Sequence, residues 1–166
     1  MDLTSQIKAL VDDAPTEDGT KQLVENVAIA LARWVSTNLI HSHYYLIQDA
    51  SSAWIKSTLT HRTQSVGEKT VIFIFSNPED VAKEIDSLQD VQVFQEKIPV
   101  IELLFRFWTL NLSDALIVNE GGATTISAKR IMREITRSDL DTAIRGQKTR
   151  QKTRDTQSGK GFGNVC

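Results

Sequence analysis

Between residues 70 and 122 the chain alternates apolar, strand-like runs with capped helix starts, and that order leaves few folds open to it. Thr70–Phe75 reads Thr-Val-Ile-Phe-Ile-Phe, with no polar alternation after the threonine. A strand that is apolar on both sides needs cover on both faces, so it belongs at the centre of a sheet. Asn77 is a good N-cap, Pro78 suits the first helical position, and Glu79 and Asp80 fall in the first turn, where the helix dipole favours acids. Val81, Ile85 and Leu88 form the inner stripe of that helix. A second strand is expected over Val91–Gln95, and Pro99 opens a second helix with Ile101, Leu104, Phe105 and Trp108 facing inward together. Glu102 and Arg106 lie elsewhere on its surface. Ala115–Val118 supplies a third strand, closed by a turn at Gly121-Gly122.

The flanks add helices and more strands. Thr4–Val11 reads as a short helix with Leu3, Ile7, Leu10 and Val11 on one side, broken by the stretch from Ala14 to Gly19. Thr20–Leu39 is the strongest helix: Val24, Val27, Ala28, Leu31, Trp34, Val35 and Leu39 recur at helical spacing. Ile29 and Ala30 widen the stripe, so cover on more than one side is expected. His43–Gln48 and Ala53–Thr60 read as two strands joined by a turn at Asp49–Ser52, followed by a polar loop over Thr63–Glu68. Arg130–Ile135 alternates as an edge strand would, and a helix over 127–136 fits nearly as well. Ser138 is the expected cap of a last short helix, with Asp141 three residues on and Gly146 at its end. From Gln147 to Cys166 there is no apolar periodicity, and such a segment cannot bury enough surface to offset its ordering entropy. The fold class expected is α+β: a single mixed sheet packed by helices over 1–146, with a long N-terminal helix and a disordered basic tail over 147–166.

Charge and cysteine content narrow the setting. Residues 1–140 carry 13 basic against 19 acidic side chains, a net of −6; residues 141–166 carry 6 against 2, a net of +4. The body is acidic and the tail basic. No apolar run approaches the roughly 18 residues of a membrane helix. The start of the chain lacks the charged and apolar regions of a secretory signal. Cys166 is the lone cysteine and cannot form an internal disulfide. A cytoplasmic protein with no membrane contact is expected.

The run from about residue 70 to 145 resembles the SseB-like domain family, named for a bacterial protein linked to serine sensitivity. The resemblance rests on Ile72-Phe73-Ile74-Phe75-Ser76-Asn77-Pro78-Glu79-Asp80, a strand leading into an acidic helix start. It continues through Ile98-Pro99-Val100-Ile101-Glu102-Leu103-Leu104, then Ala115-Leu116-Ile117-Val118-Asn119-Glu120-Gly121-Gly122, and closes on Ser138-Asp139-Leu140-Asp141. Glu120 stands where the family commonly has proline, the stretch Ala123–Lys129 is a polar insertion, and the long N-terminal helix has no counterpart. The resemblance implies an α+β fold and a regulatory or protein-binding role, and no enzyme residues.

No catalytic constellation is legible. His41 and His43, with His61 further on, could share a strand face, but no cysteine is near and Asp49 is the only close acid, so a solvated junction explains them better than a metal site. Gly121, Gly122 and Arg130 could hold an anion through the turn Asn119–Thr125. Their spacing matches neither a Walker A loop nor GxGxxG, and a tight turn accounts for the glycines. The acid pairs Asp12-Asp13, Glu79-Asp80 and Asp139/Asp141 sit at helix ends, where capping explains them. The tail cations Arg145, Lys148, Arg150, Lys152 and Arg154 form an electrostatic footprint for an anionic partner. Nucleic acid is the lesser candidate, since the body is acidic and the tail lacks interleaved aromatics. Phe162 closes the tail in a short segment that could act as a linear motif. Phe105 and Phe107 cannot both face inward with Trp108, so one of them is expected to be exposed as an interface aromatic. These features together lead to a non-enzymatic protein-binding, regulatory or assembly module, with the cationic tail as a second contact and no cofactor. The alternatives are a small-ligand sensor or enzyme at the Asn119–Thr125 turn and nucleic-acid contact through the tail.

Overall fold

The computed structural model describes residues 2–60, 67–89, 91–121 and 131–146. They form an α+β fold in the order α1 (Leu3–Asp13), α2 (Thr20–Asn38), β1 (His43–Asp49), β2 (Ser57–Leu59), β3 (Lys69–Phe75), α3 (Pro78–Ser87), β4 (Val93–Pro99), α4 (Val100–Leu110), β5 (Ala115–Glu120) and β6 (Ile131–Thr136). A fifth helix, α5, follows over 137–146. The tail expected over 147–166 lies outside the described residues, as does most of the loop expected over Thr63–Glu68.

The strands make one mixed sheet in the order β4-β1-β3-β5-β6. β3 and β5 run parallel, with Val71 opposite Ala115 through Phe75 opposite Asn119. The other neighbours are antiparallel. β3 is central, as its unbroken apolar run requires. On its other side it is shared: β1 meets it at Tyr45–Phe75, and β2 meets it at Lys69–Val71. The turn between β1 and β2 is tied by Asp49, whose Oδ1 accepts from the backbone N–H groups of Ser51 and Ala53.

Alternation along the strands divides the core in two. One face carries Tyr44, Leu46, Ile72, Ile74, Ile98, Leu116, Val118 and Ile135 and is packed by α2, α4 and α5. The twelve largest side chains below 2% exposure all belong to this main face or to the helices on it. At about 1.5–3 kcal/mol for each large apolar side chain buried, most of the stabilisation sits here. The other face carries Ile47 and Phe75 and is packed by α3 through Val81, Ile85 and Leu88. The β3–α3–β4 crossover therefore runs over one face and β4–α4–β5 returns over the other. Opposite directions on opposite faces give both crossovers the same hand, as twisted sheets require.

Helix α1 packs against both α2 and α4, which makes a third layer and explains the wide apolar stripe of α2. Its Gln6 is only 3% exposed. Gln6 Nε2 donates to the Ser42 carbonyl at 2.7 Å, and its Oε1 accepts from Ile101 N–H at 3.1 Å. Helix α4 has Pro99 as N-cap and no cap from its own side chains, so Gln6 supplies one from 95 residues away.

Several expectations need correction, the first being that the strand over Ala53–Thr60 is only Ser57–Leu59 and pairs with β3, not as a hairpin with β1. The strand expected over Val91–Gln95 starts two residues later and runs through Pro99. Pro99 has φ −60° and ψ 138°, which is extended, and it sits at the strand's end where its missing N–H breaks no central ladder. The inward stripe of α4 is Val100, Ile101, Leu103, Leu104 and Phe107; Phe105 and Trp108 are only partly buried. The helix is enclosed by the sheet on one side and by α1 and α2 on another, which rotates the buried arc. The cap of α5 is Thr136 and not Ser138. Thr136 and Asp139 bond reciprocally, Asp139 Oδ2 accepting from Thr136 N–H and Thr136 Oγ1 from Asp139 N–H. Asp141 instead accepts from Trp108 Nε1 at 2.8 Å, which ties α5 to α4. The ambiguous segment 127–136 is an edge strand over its described part, Ile131–Thr136.

Candidate functional site

Two places in the fold bear on function: the ends of the parallel strands and the open edge of β4. At the strand ends, Ser76 N–H donates to the Asn119 carbonyl at 3.1 Å. Asn77 caps α3 by accepting from Asp80 N–H, and its Nδ2 donates to Asp80 Oδ2 and to the Gly121 carbonyl. Gly121 packs against the Asp80 carboxylate: a Cβ there would lie 2.2 Å from Asp80 Oδ2, so that side chain would have to shift. Gly122, the stretch Ala123–Thr125 and Arg130 lie outside the described residues. Glu120 of this turn and Asp80 of α3 place two carboxylates beside its described half. Among the described residues, Asn119, 6% exposed, has no hydrogen-bond partner for its Oδ1.

On the main face at the same end, the buried Tyr44 donates to Glu120 Oε1 at 2.8 Å. Burial, and then the bond to Glu120, raise the Tyr44 pKa well above that of a free phenol. In the unfolded chain the phenol ionises near pH 10, at roughly the value of free tyrosine. Above that pH the unfolded state releases a proton that the folded state keeps, so stability falls as pH rises. Tyr44→Phe is expected to cost about 1–2 kcal/mol at neutral pH through the lost hydrogen bond. It should also flatten the alkaline decline relative to wild type in urea titrations at pH 8 and pH 11. An identical decline in both proteins would show that Tyr44 does not couple folding to pH.

The histidines do not converge. His41 lies edge-on to Tyr44, with ring centroids 5.9 Å apart. His43 Nδ1 sits 3.0 Å from Ser42 Oγ, and its pKa is lowered by burial and then by Lys97. His61 lies outside the described residues, and among the described residues no group of three His, Cys, Asp or Glu could hold a metal ion.

β4 borders the sheet, and its backbone defines which groups face out. Asp49 N–H donates to the Ala53 carbonyl and Ile55 N–H to the Ile47 carbonyl, so the odd residues of β1 point their polar groups away from β4. The even residues Tyr44, Leu46 and Gln48 therefore bond β4, opposite Ile98, Glu96 and Phe94. By the same alternation, Val93, Gln95 and Lys97 turn their N–H and C=O groups outward along the edge. The register to β1 is unbroken from His43–Pro99 to Asp49–Val93, so no bulge disrupts the row. Beside it, Phe94 is 53% exposed and Val91 56%.

The adjoining surface is rigid. Trp54 is bridged to Gln48 and donates its indole N–H to Glu96 Oε2 at 3.1 Å. The Arg106 guanidinium lies over the Trp54 ring at 4.8 Å and pairs with Glu96 and Glu102. Trp54 is itself buried in the main core, and with Arg106 and Glu96 it backs the strand that carries the exposed Phe94.

The residues expected to bind a partner fall elsewhere. Phe107 is fully buried in the core and cannot be an interface aromatic, and Phe105 packs against the core and the Trp108 ring. Arg145 is exposed on α5. Lys148, Arg150, Lys152, Arg154 and Phe162 lie outside the described residues. Phe94 is the exposed aromatic that sequence reasoning passed over. Phe94 carried a signal, because it interrupts the alternation Val91-Gln92-Val93 and puts an aromatic on the second side of the strand. No protein-family model matches the chain, and no curated protein matches it either.

Proposed function

We propose that this protein is a non-enzymatic binding module that takes an extended strand of a polypeptide onto β4. The observation that carries this reading is the backbone row at Val93, Gln95 and Lys97, unpaired among the described residues, beside the exposed Phe94. An added strand satisfies such a row with main-chain hydrogen bonds, and pockets for alternate side chains supply selectivity. The resemblance to SseB-like domains points to the same kind of role, a regulatory or assembly subunit. No helix among the described residues is long and apolar enough to cross a membrane. The cationic tail then acts as a second, salt-sensitive contact that speeds encounter.

Gln95→Pro is the discriminating variant. Its N–H faces outward, so proline removes an edge donor and leaves the ladder to β1 intact. Affinity capture from the native cell should recover a partner set with wild type that Gln95→Pro and Phe94→Glu both lose, at unchanged circular dichroism. Met132→Lys on the opposite edge strand, where Met132 is 58% exposed, should retain the set. Equal recovery by wild type and both β4 variants would overturn the reading.

A further inference from the structure

The edge of β4 is complementary to itself, and we infer that its occupant is a second copy of this chain, paired antiparallel with Phe94 on the two-fold axis. This inference rests on the reading of β4 as a docking strand. In an antiparallel pair, residues with outward backbone groups face one another, so only registers that match odd residues with odd residues are open. The charges then select one of them. With Phe94 opposite Phe94 of the second copy, Val93 faces Gln95, Val91 faces Lys97 and Gln92 faces Glu96. No carboxylate meets another carboxylate or an aromatic ring. A shift of two residues one way sets Phe94 against Glu96, and a further two sets Glu96 against Glu96. A shift of two the other way sets Phe94 against Gln92 and gives up the aromatic pair. Like charges directly opposite destabilise a strand pair, and aromatic pairs on one face stabilise it.

The symmetry follows from the same geometry. A two-fold axis normal to the sheet keeps each face continuous across the join, so both Phe94 rings lie on the main face and both Val91 side chains on the α3 face. The pairing is isologous and closed, which is the commonest form of homo-oligomer. The whole chain carries a net charge of only −2, so long-range repulsion between copies is weak. Lys97 is the only cation in β4, and it is drawn over the Tyr45 ring at 5.9 Å.

Light scattering of the full chain across a concentration series should show a dimer. Phe94→Glu, which sets two carboxylates face to face, should weaken it by about ten-fold or more. Gln95→Pro should weaken it as well, with the fold retained by circular dichroism. The register has its own readout. Opposed residues at a non-hydrogen-bonded pair have Cα atoms about 4.5 Å apart, within disulfide range. In a Cys166→Ser background, Phe94→Cys should therefore oxidise to a covalent dimer and Lys97→Cys should not. A dimer untouched by both edge variants, or one cross-linked through Lys97→Cys and not Phe94→Cys, would overturn the inference. So would a chain that stays monomeric throughout. If that monomer still loses its cellular partners on Gln95→Pro, the second copy is excluded and the docking strand stands.

Discussion

Phe107→Ala is expected to lower the stability of this protein by about 3–5 kcal/mol, the usual cost of truncating a fully buried aromatic. Phe107 has no exposed surface and lies in the main core with Leu103, Leu104 and Ile101. Truncation there removes the ring's transfer energy and leaves a cavity that a helix held between sheet and helices cannot close. Phe105→Ala should cost clearly less, because Phe105 is only partly buried. Urea denaturation of the two variants measures the difference, as a larger fall in midpoint at constant slope for Phe107→Ala. A larger loss at Phe105 would mean that α4 is rotated about its axis from the orientation described.

Gln6→Met is expected to cost about 2–3 kcal/mol, although the two side chains are close in size. The loss comes from Ile101, whose backbone N–H is bonded to Gln6 Oε1 inside the core. Methionine leaves that donor buried and unpaired, and a buried unpaired donor carries its full desolvation penalty. The Ser42 carbonyl is less affected, since Val100 N–H also donates to it at 3.0 Å. Gln22, exposed on α2, provides the control: Gln22→Met should change stability by less than about 0.5 kcal/mol. If both substitutions are equally mild, the link between α1 and α4 does not support the fold.

What the sequence discloses here is what neighbouring residues decide. Asn77-Pro78-Glu79-Asp80 begins a helix on local grounds alone, and α3 starts there. Thr70–Phe75 could be placed at the sheet's centre because an all-apolar strand has nowhere else to go. Position 99 misled because proline was read only as a helix opener, when its extended backbone also completes a strand. The rotation of α4 depends on α1 and α2, which no window of residues around 105 contains. Gln6 carries no local mark of its partner: a glutamine on a short amphipathic helix reads as surface until Ile101 is brought to it. The outward row on β4 is likewise invisible in sequence, because it follows from how β1 bonds Ala53 and Ile55.

The partnership of Gln6 with Ile101 also governs how the chain must emerge from a ribosome. The first two helices can coil early, but the surface that covers their apolar stripes, α4 and the strands beneath it, is translated some 95 residues after Gln6. The central parallel pair closes later still, once β5 has appeared. Nascent chains halted before residue 100 therefore present unsatisfied greasy helices and an unfinished sheet, the kind of intermediate that chaperones hold. The parallel pairing of β3 with β5 can form only after residue 115 has been made.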